Sequence, residues 1–265
     1  MRDGDLIEMS RSFGSKAIRY AQGLLGLRRD DILLASFPRS GSTWIRFFLC
    51  NLISLREMGG REVDFPLLDA TMVELGVDDL RRPWSHETIP RVVKTHRPYA
   101  SFLARPSHKI LVIRDPRDTV VSRYWYERGQ SRLRFQGELP AFLRHRVFGL
   151  AAWFRHYRSW VPRADLILPY ESLVESPGDG LRTLLDFLEV DVEEAIIDQA
   201  LERSRFRNVR KVESSKGHSH AGRFGKDFKF ARRGGTGGWR EHFSTQDLDY
   251  YSRLHERFRV EVYAP

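Results

Sequence analysis

A chain of 265 residues can bury one large core or two small ones, and the even spacing of its apolar residues favours a single α/β domain. Lys and Arg outnumber Asp and Glu by 44 to 35, a formal charge of +9, which points to an anionic ligand or surface, although spare charge for solubility explains the excess equally well. Cys50 is the only cysteine, which excludes an intrachain disulfide and a cysteine-based zinc site and suits a reducing, cytoplasmic compartment.

Residues 1–30 read as a helical extension ahead of a domain spanning 31–265. The apolar run AQGLLGL is broken by Gly23 and Gly26, which is too short for a signal peptide, and no stretch approaches the roughly 18 apolar residues of a transmembrane span. SKAIRYAQGLLGLRR interleaves basic residues with Ile18, Leu24, Leu25 and Leu27. That pattern suits a helix packed on the domain or, as a second reading, weak contact with an anionic membrane surface.

Four β-rich runs follow, DILLASFP, RVVKTH, KILVIRD and ADLILPYE, with helical spacing between them. The alternation predicts a central, mainly parallel sheet flanked by helices. After the first run, Trp44, Phe47, Phe48, Leu52 and Leu55 form one apolar helix stripe, so residues 38–43 are the turn between strand and helix. PRDTVVSRYWYER follows the third run in the same way, with Pro116 at the helix start and Asp118 in its first turn. From Glu213 to Gly238 the chain is rich in Gly, Lys and Arg without periodicity, and it reads as a long binding loop, lid or linker.

Three of these places carry anion chemistry. Small residues where a strand enters a helix leave backbone N–H groups and the positive helix end open, a P-loop-like cradle to which Arg39 adds fixed charge and Ser42 and Thr43 add hydroxyls. A structural turn with an ordinary helix cap is the plainer reading. The turn lacks the Gly-x-x-x-x-Gly-Lys-Ser/Thr pattern of nucleoside triphosphatases. In VIRDPRDTVVS, Arg114 ends an apolar strand with Ser122 two helical turns on, a pairing suited to a phosphate monoester, unless Arg114, Asp115, Arg117 and Asp118 merely pair with one another. In ARRGGTGGW, Arg232, Arg233 and Gly234 can fold over an anion or form a solvated basic loop.

Together the three motifs resemble the PAPS-dependent sulfotransferases of the soluble type. Phe37-Pro38-Arg39-Ser40-Gly41-Ser42-Thr43-Trp44 is similar to that family's 5′-phosphosulfate segment, Arg114 to Ser122 to its 3′-phosphate segment, and Arg232 to Trp239 to its C-terminal Arg-Lys-Gly-x-x-Gly-Asp-Trp. The likeness runs along about residues 31 to 250. It implies PAPS as sulfuryl donor without a metal, with Arg39, Ser40, Gly41, Ser42 and Thr43 at the phosphosulfate. It further implies Trp44 and Phe206 stacked on the adenine, Tyr170 of LPYES at its edge, and Arg114, Ser122, Arg232, Arg233 and Gly234 at the 3′-phosphate. The family's Lys-Thr-His segment looks like Lys94-Thr95-His96, which implies that His96 takes the acceptor's proton while Lys94 and Arg39 stabilise the leaving charge. An unperturbed histidine titrates near pH 6.5 and needs little help for that task.

Two departures stand out: Arg39 replaces the usual lysine, implying a purely electrostatic role, and Gly238 replaces the Asp before Trp239. WREHFSTQDLD only loosely resembles the relatives' dimerisation segment, leaving monomer and homodimer both open. The acceptor is expected to be a small molecule, with carbohydrate or lipid as alternatives, held by residues between the cofactor segments. Phe65, Trp84, Trp125, Phe142 and Phe148 are candidates for that pocket or for core. His218 and His220 without partners make a poor metal site. The rival readings are a P-loop-like kinase using ATP with magnesium and a non-catalytic nucleotide or nucleic-acid binder. No helix-turn-helix, RNA-binding aromatic or zinc motif supports nucleic acid as a partner.

Overall fold

All four β-rich runs become strands: β1 Ile32–Ser36, β2 Val92–Thr95, β3 His108–Ile113 and β4 Leu166–Pro169. The computed structural model describes residues 23–130, 135–217, 224 and 234–264. The strands pair in parallel in the order β2-β1-β3-β4, with Ile32 opposite Val92 on one side and His108 on the other, and Ile110 opposite Leu166. Strand β1 is buried throughout. Its Ile32 and Leu34 enter one core while Leu33 and Ala35 enter the other, which is why the run is continuously apolar rather than alternating.

Helices cover both faces. With Ile32 and Leu34 pack α1 (Ser42–Glu57), through Ile45, Phe48 and Leu52, and α2 (Phe65–Thr71) through Phe65 and Leu68. On the other face lie α3 (Pro116–Arg128), the short α4 (Leu139–Leu143) and α5 (Leu150–Trp160), joined by Val120, Tyr124, Phe142, Trp153 and Phe154. After β4 come α6 (Tyr170–Glu175), α7 (Pro177–Phe187), α8 (Glu194–Ser204) and α9 (Phe206–Lys216). The last, α10 (Thr245–Phe258), starts with a capping box between Ser244 and Asp247 and places Tyr251 and Leu254 in the second core.

This order has a functional consequence. From β1 the chain runs outward to β2 and then crosses back to β3, so the connections leave β1 and β3 in opposite directions and open a crevice at their carboxyl ends. The turn after β1 and Arg114 after β3 both stand at that crevice.

Two sequence expectations need correction. Glu213 to Lys216 do not belong to the loop, because α9 continues to Lys216 with Val209 and Val212 buried. Of the acceptor-pocket candidates, Phe142 is fully buried core, Phe148 and Trp84 pack against the cores, and Trp125 is exposed; Phe65 alone both joins a core and lines the central cleft. Of the stretch read as a packed or membrane-facing helix, Ser15 to Gln22 lie outside the described residues. Residues 23–26 are helical, Leu25 is exposed and Leu27 is buried in the second core. Arg91 ties this segment down by gripping Asp31 at 2.6 and 2.8 Å and the Gly26 carbonyl at 2.8 Å. Among the described residues no helix is long and apolar enough to cross a membrane.

Candidate active site

The turn after β1 is built by backbone conformations that few residues adopt. Arg39 has φ 75° and Gly41 has φ 104°, both left-handed, a state that costs a side-chain-bearing residue roughly 1–2 kcal/mol. At Gly41 a side chain is also sterically barred, because a Cβ would lie 2.4 Å from Cδ2 of Tyr170. Gly41 caps α1 without any side-chain hydrogen bond, and the first turn holds no acidic residue, so the helix presents its positive end uncompensated. Ser40 is fully buried; its N–H donates to the Phe37 carbonyl while its hydroxyl has no partner.

The charges converge on this turn. Arg39 Nε donates to Ser122 Oγ at 3.3 Å and its guanidinium lies 5.1 Å from the Tyr126 ring centre. Burial, reinforced by Arg114, pulls Arg39 down to about 10, still charged at neutral pH. Arg114 donates to the carbonyls of Arg39 (3.3 Å) and Gly235 (2.9 Å) and stacks over Tyr170 at 4.5 Å, with its Nε left unpaired. Helix α3 starts here because Asp115 accepts from the Arg117 N–H and Pro116 occupies the first turn. Arg117 pairs with Asp115, as the surface-pairing alternative had it, but Arg114 does not join them and Asp118 does something else. Asp118 accepts the backbone N–H groups of Gly237 (2.6 Å) and Trp239 (2.9 Å), fastening the glycine-rich segment to the helix start. Gly234, at φ 66°, lies so close to Phe206 that a Cβ would meet the ring carbon Cγ at 2.5 Å. Arg232 and Arg233 lie outside the described residues, as do His218 and His220.

Strand β2 delivers Lys94 and His96 to the opposite wall. Residues 73–75 run beside β2, with Leu75 N–H donating to the Lys94 carbonyl and Lys94 N–H to that of Val73, which brings Glu74 2.8 Å from Lys94 Nζ. Burial would raise Glu74, but Lys94 and His96 hold it down to about 2; burial in turn lowers the Lys94 ammonium, an effect Glu74 opposes. His96 Nδ1 lies 2.8 Å from the Ser36 carbonyl, an atom that can only accept, so Nδ1 carries the ring hydrogen and Nε2 is the nitrogen free to bind a proton. Burial and the Lys94 charge push His96 down to about 3, so its ring is neutral at physiological pH. The sequence premise of an unperturbed histidine is thus corrected.

One cleft of ≈ 1440 Å³ receives all of these groups: Arg39, Gly41, Ser42, Thr43, Trp44, Lys94, His96, Arg114, Ser122, Tyr170, Phe206 and Gly234 line it, whereas Ser40 sits behind the turn. A pocket for one small ligand measures roughly 300–1,000 Å³, so this cleft has room for two. Beyond Lys94 and His96 its wall is Phe47, Phe65, Leu68, Leu75 and Val77 with the carboxylates of Asp69, Glu74 and Asp78. Sequence reasoning missed Ser36, Glu74, Asp118 and Tyr126. Glu74 carried no signal, while Asp118 lay inside a motif already singled out. Trp44 and Tyr170 meet edge to face at 6.5 Å. Among the described residues no group of three or more His, Cys, Asp or Glu is placed to hold a metal ion.

A family model described as the sulfotransferase domain matches residues 29–259. The chain is 28% identical over 264 residues to the rat protein Sulfotransferase 1 family member D1, covering 89% of this chain and 88% of that one. It is 27% identical over 263 residues to human Sulfotransferase 1E1, covering 89% and 88%. Among solved structures, mouse sulfotransferase SULT7A1 complexed with PAP superposes with a TM-score of 0.69 at 21% identity over 92% of both chains. A retinol dehydratase in complex with androsterone and inactive cofactor PAP gives 0.70 at 21% identity, covering 90% of this chain and 84% of that one.

Proposed function

The chain belongs to the sulfotransferase family, and we propose that it transfers a sulfuryl group from PAPS to an acceptor, with His96 as the base and with the turn, Arg114 and the Gly234 segment holding the donor nucleotide. The fit rests on chemistry this chain displays. Ser40 Oγ, Trp44 Nε1 and Arg114 Nε are buried donors lacking partners, and Gly41 and Gly234 keep the backbone bare beside Tyr170 and Phe206. Arg39, Ser40, Gly41, Ser42 and Thr43 would take the phosphosulfate, Trp44, Tyr170 and Phe206 the purine, and Arg114, Ser122, Gly234 and, by resemblance, Arg232 and Arg233 the 3′-phosphate.

PAPS, when bound, supplies the sulfuryl group and an anionic leaving group. The Ser36 carbonyl holds the Nδ1 hydrogen of His96, which keeps Nε2 basic in the cleft; this is the observation that carries the reading. Nε2 receives the proton of the acceptor's hydroxyl or amine. With its basicity reduced to about 3, the imidazole takes that proton as the acceptor attacks rather than beforehand, and the nearby Glu74 carboxylate favours the imidazolium formed. Arg39, Lys94 and the N–H groups of the turn stabilise negative charge growing on the leaving oxygen, which makes them more useful in the transition state than before it. The apolar wall with carboxylates beyond His96 suits a small molecule with an apolar body and a hydroxyl or amine. A reducing, cytoplasmic setting suits a chain whose one cysteine, Cys50, is buried.

His96→Asn tests the assignment. Turnover is expected to fall by about 10²- to 10⁴-fold, with affinity for adenosine 3′,5′-bisphosphate within about threefold of wild type. The wild-type pH–rate profile should show no protonation limb near 6.5, because the folded-state value lies far below it. Parallel loss of turnover and nucleotide affinity would remove His96 from the role of base.

A further inference from the structure

Ser36 ends β1 wholly buried. Its hydroxyl stands 3.2 Å from His96 Nδ1 and donates to Ser42 Oγ at 3.0 Å. Ser42 is the first residue of α1, nearly buried, and lines the cleft at the anion-binding turn. Since the Ser36 carbonyl fixes the hydrogen on Nδ1, that N–H is shared with Ser36 Oγ, whose own O–H is committed to Ser42. The hydroxyl hydrogen of Ser42 is then the one that can turn toward the cleft. The dipoles therefore run in a single direction, from His96 Nδ1–H through Ser36 O–H to Ser42 O–H.

We propose that Ser36 is a positioning residue whose hydroxyl couples occupancy of the donor end of the cleft to the orientation and polarisation of His96, an inference that rests on the donor and base roles assigned above. An anion drawing the Ser42 hydrogen makes Ser42 Oγ a better acceptor for Ser36, and Ser36 Oγ in turn a better acceptor for the imidazole N–H. The imidazole N–H, already placed on Nδ1 by the Ser36 carbonyl, is thereby held and polarised more strongly when the donor is in place, and Nε2 becomes the more basic for it. Serine suits this position because its hydroxyl donates and accepts at once in a fully buried place.

The test uses the full chain with ¹⁵N-labelled histidine and adenosine 3′,5′-bisphosphate as probe, the His96 resonance being the one missing from His96→Asn. In wild type the probe should shift the Nδ1 signal downfield. In Ser36→Ala the shift should fall by at least half while the calorimetric affinity for the probe stays within about threefold. Turnover of Ser36→Ala should drop by about tenfold with both KM values within about threefold, and Ser36→Thr, which restores the hydroxyl, should recover most of it. Ser36→Cys, which is somewhat larger and hydrogen-bonds weakly, replaces Ser36→Ala if that variant fails to fold, and the same outcomes are expected. An undiminished Nδ1 response in the hydroxyl-less variant, or Ser36→Thr no better than Ser36→Ala, would overturn the proposal. Failure of the wild-type protein to bind the probe would instead count against the donor site itself.

Discussion

Replacing Gly41 with alanine should damage stability and nucleotide binding together, and the structure separates the causes. The backbone there has φ 104°, a conformation in which a Cβ costs roughly 1–2 kcal/mol. The new methyl would also stand 2.4 Å from Tyr170 Cδ2, so the ring must move, and overfilling a packed site costs roughly 1–3 kcal/mol. The expected sum is about 2–5 kcal/mol. Gly59 provides the control: its φ is 63°, but nothing lies within 4 Å of its would-be Cβ, so Gly59→Ala should show the backbone cost alone. Urea denaturation of both variants reads stability, and calorimetry with adenosine 3′,5′-bisphosphate reads binding. Gly41→Ala should be the more destabilised and should lose tenfold or more in affinity, since Tyr170 supports the Arg114 guanidinium at 4.5 Å. Gly59→Ala should bind normally. Equal destabilisation by the two substitutions would refute the claim that contact with Tyr170 dictates glycine at position 41.

Two further outcomes follow from the geometry. Asp118→Ala removes the acceptor for the Gly237 and Trp239 N–H groups, and hydrogen bonds to a charged group contribute roughly 1.5–3 kcal/mol each, so nucleotide affinity should fall about tenfold or more; unchanged affinity would mean that the glycine-rich segment does not need this anchor. Acid should destabilise the fold earlier than carboxylate titration requires. His96 and the buried His156 are both held down to about 3, so below 6.5 the unfolded chain binds protons that the folded chain refuses, and stability is lost as pH falls from 6.5 toward 3. For His156 the loss by pH 5 is about 2 kcal/mol, with His96 adding less because its ring is partly exposed, and an unchanged urea midpoint between pH 7.5 and 5 would contradict it.

The parts that could be read in the sequence are those whose physics is local. The four strands were readable because parallel strands buried on both faces make continuous apolar runs such as Ile32 to Ala35, bounded by polar turns. The turn at residues 38–43 was readable because small residues there serve no core. Long-range partners were not readable. Nothing near Glu74 announces that it will meet Lys94, which is set by a segment running beside β2, and nothing in Asp118 shows that its carboxylate will hold backbone 119 residues away. The basicity of His96 was misjudged for the same reason, because burial and the Lys94 charge are products of the fold. Phe142 illustrates the converse error: aromatic residues between cofactor motifs suit a pocket or a core equally well until the helices are packed.

The proposed donor site takes a nucleotide carrying both a 5′- and a 3′-phosphate. Calorimetric titration with adenosine 3′,5′-bisphosphate in the absence of magnesium, beside AMP and ATP, tests it most directly. The expected result is tight binding that depends on the 3′-phosphate and weakens sharply in Arg114→Ala. Absence of binding, or a preference for ATP that requires magnesium, would contradict the account and favour a kinase-like use of the same turn.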